Sequence, residues 1–131
     1  MPLALTLLLS VLVATSTLAA EKSDAIHHSF LAFGSKTVII GESNETLWST
    51  RGGSRDGFVL PNGNVLVAWS DEVKELTRQN ETVFSYHLSS DNREIGTTQR
   101  LYNGNTLVTE LGPKPRLLQV NPQGAIVSEF A

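Results

Sequence analysis

Arg55 and Asp56 stand side by side; 41 positions on (56 to 97) Thr97 takes the place of Asp56, and Gln99 lies nearby. A guanidinium beside a carboxylate can hold an anionic or sugar-like ligand through charge-assisted hydrogen bonds. The same pair can equally serve as an ion pair between neighbouring structural units or as a solvated turn. Nucleophilic chemistry is harder to find. There are three histidines, His27, His28 and His87, and no cysteine. Lack of Cys excludes disulfides, thiolate catalysis and zinc sites built on Cys. His27 and His28 are adjacent in a polar lead-in and read as a solvated tail rather than metal ligands. Asp71-Glu72 and Asp91-Asn92 lack the alternating carboxylates and glycine turn of a calcium loop, so they read as ordinary turns. The residues therefore point to no metal, no cofactor and no catalytic group.

The elements that position these residues are announced by a repeat. Pro61-Asn62-Gly63-Asn64-Val65-Leu66-Val67 returns as Tyr102-Asn103-Gly104-Asn105-Thr106-Leu107-Val108, 41 residues later (62 to 103). A period of this size marks a unit that must stack on copies of itself to bury its apolar face. Asn-Gly between apolar runs predicts a hairpin with a type I′ turn, in which both central residues need φ > 0. Short β-branched runs alternate with Gly, Asn, Pro and Ser clusters throughout, and no helical period is sustained.

Strands are expected over 96–101, 106–110, 116–120 and 125–130, broken by Gly112-Pro113-Lys114-Pro115 and by the turn Asn121-Pro122-Gln123-Gly124. The preceding unit repeats the order over 56–60, 65–70, 73–78 and 82–86. Upstream, 36–41 and 46–49 match only the last two strands of a unit, with 30–33 as a remnant of the strand before them. This makes an all-β chain of about two and a half four-stranded antiparallel blades: a partial blade at 30–50 and blades at 55–87 and 94–130. Radially repeated four-stranded sheets form the β-propeller, which closes with four to eight blades, so an incomplete propeller is expected here.

Residues 1–20 (MPLALTLLLSVLVATSTLAA) form an apolar run passing into small residues, the pattern of a cleaved secretory signal peptide, although no Lys or Arg precedes it. The run falls short of the roughly 20 residues of a spanning helix. Residues 21–29 are a polar lead-in. The expected location is secreted or periplasmic, with no membrane contact after cleavage. Net charge is −3 without a basic stripe, which argues against nucleic acid as a partner. Asn44-Glu45-Thr46 and Asn80-Glu81-Thr82 fit the glycan-acceptor pattern, but Asn and Thr suit turns and the match is read as mainly structural. Trp48, Phe58, Trp69, Phe84, Tyr86 and Phe130 are expected to pack between blades, with Trp69 as the exception.

The segments RDGFVLPNGN (55–64) and LQVNPQGAIV (118–127) resemble the repeat of secreted bacterial propellers grouped with the arylsulfotransferase-like, PQQ-like and NHL-like blades. The resemblance spans about residues 30–131 and is specific for the blade rather than for an activity. The Trp expected before the terminal acidic-aromatic pair is Ser128 in one repeat and Phe84 in another, and Asn121 replaces the usual Asp. The resemblance implies ligands at the axial mouth, lined by innermost strands, which places Arg55, Asp56, Thr97 and Gln99 there. Arylsulfotransferase-like members use a nucleophilic histidine on that face, and none of the three histidines qualifies.

The favoured reading is an exported, non-catalytic scaffold for a small-molecule, glycan or protein ligand. The alternative is the N-terminal portion of an arylsulfotransferase-like or quinone-dependent propeller enzyme whose active residues lie beyond residue 131. A third reading has short chains self-associating to complete a ring.

Overall fold

The computed structural model describes residues 28–131; the expected signal peptide at 1–20 and residues 21–27 of the lead-in at 21–29 lie outside the described residues. Among the described residues eleven strands form three separate antiparallel sheets. The first contains β1 (Phe30–Phe33), β2 (Lys36–Ile40) and β3 (Thr46–Arg51). The second contains β4 (Asp56–Val59), β5 (Val65–Ala68), β6 (Glu72–Leu76) and β7 (Thr82–His87). The third contains β8 (Glu94–Arg100), β9 (Thr106–Leu111), β10 (Arg116–Val120) and β11 (Ile126–Phe130). Within each sheet every strand pairs with its sequence neighbour, as a meander of short hairpins requires.

The hairpin turns differ from the type I′ expectation. Gly63 and Gly104 have φ of 85° and 86°, but Asn62 and Asn103 are not at positive φ. Gly63 N donates to Leu60 O (2.8 Å) and Leu60 N donates to Asn64 O (2.8 Å), so three residues form the loop and only the last is left-handed. Pro61 suits the first loop position because its ring holds φ near −65°, but Tyr102 stands there in the 101–105 turn, so proline is not what selects this geometry. The same bonding closes 101–105 and 121–125 with Gly104 and Gly124, and 41–45 and 77–81 with Asn44 and Asn80 at φ of 64° and 65°. Each outer hairpin carries a register shift at matching positions: Ile39/Ile40, Glu75/Leu76 and Gln119/Val120.

Alternation along β5 divides the core. Val65 and Val67 join Ile39, Trp48, Trp69 and Leu76 in a cluster between the first and second sheets. Leu66 and Ala68 point the other way and join Val73, Phe84, Tyr86, Ile95, Val108, Leu118 and Val120 between the second and third. The second sheet is thus buried on both faces, which is why β5 reads as four consecutive apolar residues. Gly57 allows the close approach of β1: a Cβ there would sit 2.8 Å from Leu66 O and 3.3 Å from the Phe33 ring.

Candidate functional site

The first strands of the second and third sheets, β4 and β8, with Arg55 just ahead of β4, bring the four candidate residues to the seam between those sheets. Arg55 Nη2 is ion-paired with Glu94 across that seam. Asp56 accepts from Thr97 Oγ1 and from Thr98 N (3.1 Å) through one carboxylate oxygen, and from its own neighbour Gly57 N (2.9 Å) through the other. Arg55, Asp56 and Thr97 are therefore joined in inter-sheet contacts, while Gln99 lies further along β8 with its side chain exposed.

Thr97 and Gln99 also line a cleft of about 140 Å³ with Phe58, Leu107, Thr109 and Leu117. Drug-sized sites run to roughly 300–1,000 Å³, so this cleft has room for one ring or one side chain rather than an extended cofactor. Phe58 is 45% exposed although the third sheet covers its neighbours Leu66 and Ala68. An aromatic ring open to solvent beside the exposed Gln99 amide offers one apolar surface and one neutral hydrogen-bonding group, while the hydroxyls of Thr97, Thr98 and Thr109 already bond Asp56, Leu107 O and Thr97 N.

A second polar group at the same seam escaped the sequence reading as a site. Glu110 is fully buried on β9, facing β7. It accepts hydrogen bonds from Tyr86 Oη (2.6 Å), Ser89 N (2.9 Å), Ser89 Oγ (2.8 Å), Asn92 Nδ2 (2.9 Å) and Arg116 Nε (2.8 Å). Burial alone would push its pKa up; the bonds from Arg116, Tyr86, Asn92 and Ser89 outweigh that and bring it to about 2. Burial and the adjacent carboxylate push the Tyr86 phenol well above its ordinary range. Every carboxylate lone pair is engaged, so this is a structural anchor and not a poised acid or base. The signal was visible only as a mismatch: Glu110 occupies the repeat position held by Trp69 one sheet earlier.

Glu75 is built the same way. It accepts from Asn62 (3.2 Å) and Asn64 (2.7 Å) of the first hairpin turn and from Arg100 (2.7 Å) of the third sheet. Burial raises its pKa, but Asn64, Asn62 and Arg100 together hold it below the usual carboxylate range.

The remaining candidates fall apart from this seam. His87 ends β7, the outermost strand of the second sheet, with Nδ1 3.6 Å from Glu72. His28 is exposed, and His27 lies outside the described residues. Asp71 pairs with Arg51 (3.1 Å) and Asp91 with Lys114 (3.0 Å), so these turns are closed by cations of the chain itself. Among the described residues no group of three or more His, Asp or Glu is arranged to hold a metal. Trp69 corrects its expectation. It is 3% exposed, donates from Nε1 to Gly52 O (3.2 Å) and lies under the Arg51 guanidinium at 4.4 Å, which makes it core. Of the aromatics expected in the core, Phe58 and Phe130 are exposed instead: Phe58 lies on the edge strand β4 beside the cleft, and Phe130 on the face of the third sheet that neither other described sheet covers.

No family model matches the chain, and no curated protein matches it. Among solved structures, a protein of unknown function from Bacteroides caccae is similar, with a TM-score of 0.66 and 23% identity over 78% of this chain. The match covers 39% of that protein, so the chain spans about two-fifths of its length. At this identity the likeness is one of fold, and it places the chain beside another all-β protein.

Proposed function

We propose that the three sheets are successive blades of a β-propeller and that the chain is an exported, non-catalytic binding scaffold. Its ligand sits at the inner-strand cleft of Phe58, Thr97 and Gln99, with Arg55 and Asp56 at the rim. The observation that carries the reading is the exposed Phe58 ring beside those two polar side chains, at the position where innermost strands meet. Forward-to-back packing of consecutive four-stranded meanders supports the propeller assignment. Arg55 and Asp56 already hold partners, so the groups left for a ligand are neutral, and a hydroxylated ring with one apolar face fits them best.

The test is a titration of the full chain, expressed with export, against neutral methyl glycosides at millimolar concentration, followed by amide NMR. Shifts should concentrate at Thr97, the Gln99 side-chain amide and Thr109, and should vanish in Phe58→Ala with the rest of the spectrum unchanged. Absence of any localised shift, or the same shifts in Phe58→Ala, would sink this assignment.

A further inference from the structure

The face of the third sheet that points away from the second repeats a face that is buried inside the molecule. Leu107, Thr109, Leu117 and Phe130 correspond, 41 residues on in the first hairpin and 44 in the second, to Leu66, Ala68, Val73 and Tyr86. Those four are covered by the third sheet and buried. Their counterparts are not: Phe130 is 63% exposed, and Leu107, Thr109 and Leu117 are only half-buried.

Charge changes along with exposure. At the internal seam Glu75 meets Arg100 at 2.7 Å, whereas the counterpart of Glu75 on the open face is the neutral Gln119. Gln99, Leu107, Thr109, Leu117, Gln119 and Phe130 present no charge at all. At the other end of the molecule, strand alternation turns Ala32, Val38 and Ile40 of the first sheet away from the second. Their counterparts on the third sheet, Val108, Leu118 and Val120, are the fully buried side chains that pack on the second sheet. One end thus has an uncharged apolar receiving face, and the other has an apolar patch, with Lys36 at its edge, that matches the apolar part of the face such a surface receives in this fold.

We infer that the chain self-associates head to tail, the β8–β11 face of one copy receiving the outer face of the β1–β3 sheet of a second copy. A contact between two different faces is heterologous, so it extends to rings or filaments rather than stopping at a two-fold dimer. The docking face shares Leu107, Thr109 and Leu117 with the cleft of the ligand reading, but it is tested by mass without any glycoside present, so the two can fail separately. Phe58 stays exposed although the third sheet is docked over its neighbours, so its counterpart Gln99 would stay open in the same way.

The experiment is light scattering across a concentration series on the full chain expressed with export, with Leu117→Glu and Val38→Glu variants. Mass should rise with concentration for the unaltered chain, and each variant alone should remain monomeric. A mixture of the two variants should form a dimer that does not grow, because each retains the face the other has lost. Phe130→Lys, at an exposed position, serves in place of Leu117→Glu if circular dichroism shows the latter unfolded. A monomer at all concentrations, continued assembly of the single variants, or a mixture that fails to pair would each overturn the inference.

Discussion

Asp56 and Thr97 occupy the same repeat position 41 residues apart, and they are hydrogen-bonded to each other. The first residue of one inner strand therefore reaches its own counterpart in the next sheet. Asp56 also accepts from the buried Thr98 N–H, next to the point where the β8–β9 register shifts between Ile95 and Thr98. Removing the carboxylate takes that acceptor away. Asp56→Ala should cost about 1–3 kcal/mol, the penalty for a buried donor that loses its acceptor. Thr97→Val should cost less, since Thr98 N keeps its acceptor. A double-mutant cycle in urea should show coupling above about 0.5 kcal/mol, whereas strict additivity would place the two residues out of contact.

Glu110 ties acid stability to this same seam. Its pKa is depressed from 4.5 to about 2 in the folded chain, so over that interval the unfolded state binds the extra proton. The stabilisation is complete above pH ~4.5 and is lost as pH falls towards ~2. At 1.36 kcal/mol per pKa unit it is on the order of 3 kcal/mol. Glu110→Ala removes five hydrogen bonds and leaves Arg116 only the half-exposed Glu129, and should destabilise by about 3 kcal/mol at neutral pH. The variant should also lose much of the slope of stability against pH in the acid range. Thermal melts from pH 6 to pH 2.5 check both, and an unchanged slope would mean that another group carries the acid sensitivity.

Most of the strand order was legible because turn residues and two-residue alternation are local properties. β10 begins and ends at Arg116 and Val120, as the Gly-Pro-Lys-Pro break and the Asn-Pro-Gln-Gly turn required. The register between sheets was not local. Nothing in the run Arg55-Asp56-Gly57 says that Glu94 and Thr97 will lie opposite, since that depends on how two meanders stack. The same limit hid Glu110. Strand alternation puts it on the same face as Thr106 and Val108, but its five donors come from three separate segments of the chain. Trp69 misled for a related reason: a strand-end aromatic reads as exposed until Arg51 and Gly52 of the first sheet close over it.

The turns supply the last prediction, because the chain already contains its own control. Gly63 has φ of 85°, and a Cβ built there meets nothing within 4 Å, so any cost of substitution is backbone strain alone. Gly63→Ala should destabilise by about 1–2 kcal/mol, the penalty of a left-handed non-glycine residue. Gly63→Asn should cost less than half of that, since Asn44 and Asn80 hold the same left-handed place in the outer hairpins. The reverse changes should differ from each other. Asn44 makes no side-chain bond that would be missed, whereas Asn80 Nδ2 donates to Ser49 O (3.1 Å) across to the first sheet. Asn44→Gly should leave stability nearly unchanged, and Asn80→Gly should lower it by roughly 0.5–1 kcal/mol more. Equal melting points for these two variants would show that the Asn80–Ser49 bridge contributes nothing to the seam.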